Sequence, residues 1–342
     1  MAEYRSLAKL DDLEVRLYRL TTRSHLRVGA GEGAADVAVE NPLIRALIFR
    51  DGKDHRVPYI PGSSLHGVIR AWVEKALRSG QEPLTGTNLQ AKVTTLEEGP
   101  QKNWLEAARQ EVTAYLGRTP EDDAEVYEHF HVYTAPHVCN PLSDLDKCER
   151  IAERESSARE WKKAWWQAIG RQLPCAVCSV FGYMGQRGRV KFTHAWPEQE
   201  TLPLDVITRV AINRLTGAAD EGKLFDLEAI PPGVSFEFYT VLENMTQEQK
   251  AHFEMGLRAL NLQLAGIGAH GTVGFGMVDV ARVFTAELQP KVFEQDVEKF
   301  LRDHTPKMQA GDDKVPQFFR ALKAAHQPGK KVELLNGQIT LE

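Results

Sequence analysis

A glycine turn runs directly into a helical pattern at Pro61-Gly62-Ser63-Ser64-Leu65-His66-Gly67-Val68-Ile69-Arg70. The apolar residues at 65, 68, 69, 72, 73 and 77 recur at helical spacing, and Ser63 or Ser64 is a natural N-cap. Gly62 lets the backbone come close to a ligand, and the N–H groups at a helix N-terminus bind phosphate without a basic side chain. The pattern therefore predicts a phosphate-binding turn, with an ordinary serine-capped turn as the alternative.

Strand patterns surround this helix. Apolar and polar residues alternate in 11–28 and in 234–242, which is typical of strands. Further strands are predicted at 189–194, 205–215 and 277–284, a polar loop at 216–230 and an amphipathic helix at 246–264. Each half of the chain then holds a strand, a glycine-bearing turn and a helix. This repetition predicts an α+β fold with a ferredoxin-like core.

The stretch between the two halves has a different composition. Residues 80–170 are polar and rich in charge clusters, with helices predicted at 102–116 and 152–170. We therefore expect a core formed by 1–79 and 171–290, and a large, partly helical insertion at 80–170. Residues 291–342 are expected to form a C-terminal tail with two helices and a short final strand.

Composition sets limits on the class of protein. The 342 residues are enough for one large domain or two modest ones, and 42% of them are hydrophobic. The sequence has no run of eighteen apolar residues that would predict a membrane span, and the N-terminus lacks an apolar signal core. A cytoplasmic protein is therefore expected. The net charge of −5 argues against a general nucleic-acid binder, but it permits contacts through backbone amides and local Arg or Lys.

The cysteines are spaced like metal ligands. Cys175 and Cys178 form a C-x-x-C motif, and Cys139 and Cys148 can complete a four-sulfur zinc site. His131 or His137 can replace either of the latter two. A structural zinc is favoured because the insertion has few apolar stripes to hold it together. A catalytic zinc with three ligands and four metal-free buried thiols stay open as alternatives.

Three other motifs carry weaker signals. The first is the run of five glycines in 266–276, which matches neither a P-loop nor a dinucleotide fingerprint and is otherwise a tight turn. The second is the loop 39–45, where Glu40, with Asp36 nearby, can bind a divalent metal or is simply a solvated acid. The third is the polar hairpin at 212–217 and 223–225, whose bulky tips can wedge between bases or merely decorate a surface.

The order of these motifs resembles one known family. Asn-Pro-Leu-Ile-Arg at 41–45, the turn at 59–70, Cys-x-x-Cys before Val180-Phe181-Gly182, the segment 209–217 and the glycine run follow one another as in the RAMP superfamily of CRISPR-associated proteins. The resemblance is strongest to the backbone subunits that polymerise along guide RNA in type III effector complexes and to their type IV relatives. It covers most of 10–70 and 175–285, but neither the insertion nor the tail.

The resemblance implies a function and a set of partners. The chain would bind guide RNA through its sugar–phosphate backbone, polymerise along the spacer with further copies of itself and other CRISPR effector subunits, and present the guide to a complementary target nucleic acid. The ferredoxin-like core would be RNA-recognition-like, and a thumb hairpin near 212–230 would kink the guide. The implied RNA-binding residues are Arg45, Gly62, Ser63, Ser64, His66, Arg70, Asn213, Arg214, Thr216, Lys223, Phe225, Gly268, His270 and Gly271.

One departure from the family bears on enzymatic activity. Type III backbone subunits cut target RNA with an aspartate just before the Pro-x-x-Arg element, and Glu40 stands at the matching position here. A carboxylate displaced by one methylene disfavours in-line attack, although Asp36 can substitute if the loop is offset. We expect a subunit that binds without cleaving. The alternatives are a Mg²⁺- or Mn²⁺-dependent endoribonuclease that cuts the paired target at regular intervals, and a zinc-stabilised scaffold that contacts only protein.

Overall fold

The structure is a computed structural model. It describes residues 10–29, 42–50, 53–79, 104–121, 125–126, 138–139, 148, 174–184, 186–199, 201–288, 301, 315–325 and 332–334. Its strands are β1 Leu13–Thr22, β2 Arg45–Arg50, β3 Lys53–Pro58, β4 Gly182–Tyr183, β5 Gln186–Arg187, β6 Val190–Phe192, β7 Trp196–Pro197, β8 Asp205–Ile212, β9 Ala219–Ala229, β10 Ser235–Glu243, β11 Val278–Leu288 and β12 Val332–Leu334. Its helices are α1 Gly62–Ser79, α2 Trp104–Leu116, α3 Ala176–Phe181, α4 Gln247–Asn261 and α5 Gln317–Ala325, with a 3-10 turn at Gly271–Val273.

The described residues divide into two compact units. Unit 1 draws on Met1–Ile69, Val190–Thr246 and Glu254–Glu342, and unit 2 on Arg70–Arg189 and Gln247–Phe253. The domain boundaries expected from composition, at 79/80 and 170/171, stay a prediction. None of the helices in the described part of the chain is long and apolar enough to cross a bilayer.

The central sheet has the topology of a ferredoxin-like fold. Its order is β12-β11-β1-β10-β6, with β7 also paired to β10. The pairs β11–β1, β1–β10 and β10–β6 are all antiparallel. Helix α1 lies on the connection from β1 to β6, and α4 on the connection from β10 to β11. Counted over these four strands, the order is 4-1-3-2, so the predicted α+β fold is confirmed.

Two hairpins extend this core within unit 1. Strands β2 and β3 pair before α1, and β8 pairs with β9 between β7 and β10. The second hairpin lies where the thumb was expected, with its turn at 213–218. The prediction of a polar loop over 216–230 was wrong, because Ala219–Ala229 is a strand. Polar side chains are compatible with strand pairing here because Asp226 is exposed and the buried Glu228 pairs with Arg45.

One face of the sheet is closed by α5. Phe284, Leu17 and Tyr239 are register partners across three neighbouring strands and are buried in one apolar cluster. Phe319 of α5 stacks on Tyr239 with 4.5 Å between ring centroids, and the Tyr239 hydroxyl donates to the Phe319 carbonyl at 3.1 Å. Aromatic side chains on a sheet of this type can stack on RNA bases when they are exposed. Here that face is part of the core.

The start of α1 differs from the sequence prediction. The helix begins at Gly62, and the amides of Ser64 and Leu65 donate to the Pro61 carbonyl at 3.0 and 3.3 Å. Neither serine is therefore the N-cap, because both already lie inside the first turn. The predicted helix at 102–116 is confirmed by α2, whereas 152–170 lies outside the described residues.

Candidate nucleic-acid interface and four-cysteine centre

The glycine loop, residues 266–276, packs against the chain that leaves β1. The Ala269 amide donates to the Arg27 carbonyl at 2.8 Å, and the Gly276 amide donates to the His25 carbonyl at 2.8 Å. The loop closes on itself through the Ile267 amide and the Gly276 carbonyl at 2.9 Å. This contact follows from the sheet, since antiparallel strands β1 and β11 bring the end of one beside the start of the other.

Cationic side chains gather at this loop. Arg27 is half-buried, its Nε has no hydrogen-bond partner, and it forms no ion pair with any residue that the structure describes. Arg209 of β8 lies over the Phe275 ring, 4.5 Å from its centroid, and is likewise without a carboxylate partner in the described part of the chain. Burial, and then the charges of Arg27 and Arg209, lower the pKa of His270. An uncompensated cluster of this kind attracts an anion.

Further contacts fix the position of this cluster. His25 Nε2 lies 2.9 Å from Asp205 Oδ2 at the start of β8, which connects the β8–β9 hairpin to the segment that leaves β1. The rings of His25 and His270 each lie 5.8 Å from the Phe275 ring. His270 itself has a positive φ of 64°. We name Arg27, Arg209, His270 and Phe275 the basic loop cluster.

Gly268 is required by the loop geometry, whereas Gly271 is not. Gly268 has φ of +85°, and a Cβ there would lie 2.1 Å from the Arg27 carbonyl oxygen. A Cβ on Gly271 would meet no atom within 4 Å. We expect Gly268→Ala to lower the free energy of unfolding by about 2–3 kcal/mol and to displace Arg27, and Gly271→Ala to change it by less than about 0.5 kcal/mol. Denaturant titrations of the two variants check this, and equal midpoints would contradict it.

The turn before α1 uses its amides internally. The Gly62 amide donates to His194 Nδ1 at 3.0 Å, and a Cβ on Gly62 would lie 2.8 Å from the Phe192 carbonyl oxygen. The glycine is thus needed for close packing against β6. Ser63 is exposed, Ser64 is half-buried, and the half-buried His66 ring meets the Phe192 ring edge-on. A ligand at this turn would therefore contact side chains, because the amides of Gly62, Ser64 and Leu65 already donate within the protein.

Two of the predicted RNA-binding arginines have partners within the protein. Arg45 pairs with Glu228, whose other oxygen accepts from the Leu43 amide at 3.0 Å. Arg70 donates to the Gly182 carbonyl at 2.7 Å and lies at the cysteines. Each of these arginines is therefore held by groups of its own unit.

The hairpin residues form a turn with an exposed tip. Asn213 Oδ1 accepts from the amides of Leu215 and Thr216 at 2.9 and 3.2 Å, so Asn213 shapes the turn. Arg214 is exposed, and Leu215 at the tip is 97% exposed. Phe225 is half-buried opposite Arg209 on β8. Lys223 lies in β9, but its side chain is outside the description. Glu40 and Asp36 lie outside the described residues.

Unit 2 brings the four cysteines together. The sulfurs of Cys139, Cys148, Cys175 and Cys178 all lie within 4.8 Å of one another, and all four residues are buried. The sulfurs of Cys139 and Cys178 are 3.7 Å apart, too far for a disulfide. A tetrahedron with Zn–S bonds of about 2.3 Å has an edge of about 3.8 Å, so this separation fits zinc. His131 and His137 lie outside the described residues.

Amide hydrogen bonds orient the sulfurs. The Cys178 amide donates to Cys175 Sγ at 3.4 Å, and the Cys175 amide donates to Cys148 Sγ at 3.4 Å. Hydrogen bonding between the thiols of Cys139 and Cys148 lowers the pKa of Cys139 and raises the pKa of Cys148. Gly182, with φ of 82°, closes α3 by donating its amide to the Cys178 carbonyl. These contacts build a knuckle around the C-x-x-C motif that is suited to a metal ion.

The fold and these sites define the class of protein: a ferredoxin-like α+β protein with a basic loop cluster at one end of its sheet and a separate four-cysteine centre. A family model of the RAMP superfamily matches residues 19–279. The match covers well over half of the chain, which therefore belongs to the RAMP superfamily and is a CRISPR-associated RNA-binding module. No curated protein matches the sequence.

Proposed function

We propose that this chain is a guide-RNA-binding backbone subunit of a CRISPR effector complex, a cytoplasmic assembly in which several copies polymerise along the spacer. The observation that carries the proposal is the basic loop cluster. Arg27 and Arg209 carry positive charge that no carboxylate in the described part of the chain neutralises, and the buried Phe275 ring packs against Arg209 and His270. Positive charge without a carboxylate partner suits a sugar–phosphate backbone of any sequence.

The location of this cluster supports a role in binding the backbone of the guide. The sheet face that could stack bases is closed by α5, so contact falls to the end of the sheet and the hairpin beside it. Binding there needs no base-specific groups, as a guide with a variable spacer requires. The exposed Ser63 and Arg214 are further candidates for contacts with the same RNA strand.

The hairpin supports the proposal of polymerisation. Val206, Val210 and Ile212 lie on one face of β8, and Leu224 is the register partner of Val210 on β9; all four are exposed. A two-stranded hairpin with an exposed apolar face is marginally stable in water and gains by being covered. We propose that a neighbouring copy covers it.

This contact gives a testable prediction. Placing charge on the face with Val210→Asp and Leu224→Asp is expected to shorten the RNA-bound assembly to one or two copies, because burying two carboxylates in an apolar contact is unfavourable. Light scattering with size-exclusion chromatography measures the copy number. Leu262→Asp, at an equally exposed apolar position after α4, is the control and should leave the assembly unchanged. Full-length assemblies of the double variant would contradict the prediction.

We also propose that the four-cysteine centre holds a structural Zn²⁺. The four buried sulfurs, the 3.7 Å separation and the two amide–sulfur hydrogen bonds support zinc bound by four protein ligands. Such a closed site leaves no position for substrate, so its role would be to hold unit 2 together. When bound, the ion would supply the charge that keeps four adjacent sulfurs deprotonated.

One experiment tests the proposed function as a whole. The protein is purified with its guide, the bound RNA is sized, and the assembly is incubated with complementary labelled RNA and Mg²⁺. We expect RNA of defined length, helical assemblies and an intact target. Target cut at regular intervals, with cutting lost in Glu40→Ala or Asp36→Ala, would instead establish the endoribonuclease. RNA-free protein after mild, low-salt purification would favour the scaffold that contacts only protein.

A further inference from the structure

Arg70 contacts the four-cysteine centre directly. Its Nη2 lies 3.5 Å from Cys178 Sγ, and its Nη1 donates to the Gly182 carbonyl at 2.7 Å. Glu74, one helical turn further along α1, accepts from Arg70 Nε at 2.9 Å and so fixes the plane of the guanidinium. One planar side chain therefore contacts both the second cysteine of the C-x-x-C motif and the residue that ends α3.

The negative charge expected at the metal centre explains why a cationic side chain there is favourable. A zinc ion with four thiolate ligands carries a net charge of about −2, and the sulfurs here are buried. A buried charge is unfavourable unless it is paired or hydrogen-bonded. Amides donate to the sulfurs of Cys148 and Cys175, whereas Cys178 receives its hydrogen bond from a cationic side chain. The guanidinium is the donor in this set that also carries a full positive charge.

We propose that Arg70 is a positioning residue of the metal centre, which stabilises the Cys178 thiolate by charge and fixes the Cys178–Gly182 turn through the Gly182 carbonyl. This inference rests on the proposed metal site. It assigns Arg70 to the metal rather than to RNA. Outer contacts of this kind commonly contribute about 10- to 100-fold to metal affinity.

A second arginine provides a matched control. Arg78, two turns beyond Arg70 on α1, donates to the Cys139 backbone carbonyl at 2.5 Å and has no contact with a sulfur among the described residues. Both arginines donate to the chain near one of the four cysteines, but of the two only Arg70 donates to a sulfur. A difference between them isolates the effect on sulfur from a general loosening of the structure.

The test compares the full-length wild type with Arg70→Met, Arg70→Lys and Arg78→Met, each loaded with Co²⁺ or Zn²⁺. The readouts are the thiolate-to-cobalt charge-transfer band and metal affinity from chelator competition. In Arg70→Met we expect affinity to fall about 10- to 100-fold and the band to move to longer wavelength, because an unpaired thiolate gives up its electron more easily. Arg78→Met should keep the wild-type band.

Arg70→Lys retains the charge but cannot reach both Cys178 and Gly182, so an intermediate loss of affinity is expected even if Arg70→Met does not fold. Wild-type affinity and an unmoved band in the Arg70 variants would overturn the inference while leaving the metal site intact. A wild-type protein that binds neither Co²⁺ nor Zn²⁺ would instead reject the metal site itself. The two failures are therefore distinguishable.

Discussion

Replacing Cys178 with serine is expected to reduce bound zinc from about one ion per chain to nearly none and to unfold unit 2. The serine hydroxyl has nearly the shape of the thiol but does not ionise at neutral pH, so the ion would lose one of four ligands and the charge that goes with it. Structural zinc sites contribute about 10–16 kcal/mol of apparent binding free energy in small domains, more than the whole stability of many domains. Metal analysis and thermal unfolding of the purified protein measure both effects.

A neighbouring serine serves as the control for this change. Ser179 follows Cys178 in α3, and its hydroxyl donates to the Ala176 carbonyl at 2.8 Å. Ser179→Ala should cost about 1 kcal/mol and leave the zinc content unchanged. If Cys178→Ser keeps wild-type zinc and the wild-type melting temperature, the four sulfurs are not the ligands.

Removing both free arginines of the basic loop cluster is expected to weaken RNA binding about 100-fold. Each charge-assisted contact contributes about 1.5 kcal/mol, so Arg27→Ala with Arg209→Ala loses about 3 kcal/mol. Loss of two phosphate contacts on a single strand should also flatten the dependence of log K on log salt by about 1.4. Binding of labelled single-stranded RNA across a salt series measures both quantities, and the flatter slope separates lost charge from misfolding.

Arg23 is a suitable comparison for this double variant. It is exposed and lies close in sequence to Arg27, but it pairs with Asp279. Its charge is already neutralised, so Arg23→Ala should change RNA affinity by less than about threefold. If the RNA content of the double variant equals that of the wild type, the basic loop cluster is not the binding site.

The sequence could predict the parts of the fold that come from local pattern. Alternation marks β1 and β10, and helical spacing marks α1 and α4, because each of these elements packs against a core. Strand β9 was not predicted in this way. Its charged residues hide the pattern, because Asp226 is exposed whereas Glu228 is buried and pairs with Arg45. The closure of the sheet by α5 was also missed, since it depends on contacts between distant segments.

The candidate site was predicted unevenly for a related reason. Short spacing between Cys175 and Cys178 is a local signal, and the other two cysteines complete the cluster in space. The sequence shows that a side chain is cationic but not which group it contacts in the folded protein. Arg45 and Arg70 were therefore expected to bind RNA, although Arg45 pairs with Glu228 and Arg70 donates to the Gly182 carbonyl. Arg27 was missed because no motif contains it. Only the pairing of β1 with β11 reveals that the end of β1 lies at the glycine loop.

The short outer strands of the sheet have a consequence for self-assembly. At one edge β12 pairs over three residues, and at the other β6 and β7 span three and two residues. The β6 and β7 edge therefore presents little continuous backbone to another chain, which guards against uncontrolled strand addition and amyloid-like growth. Among the described residues, β12 covers β11 only at Ala286–Leu288. For the polymerising subunit proposed above, a protected edge would prevent unregulated growth through strand pairing. The length of the filament would then be set by the RNA that the copies share.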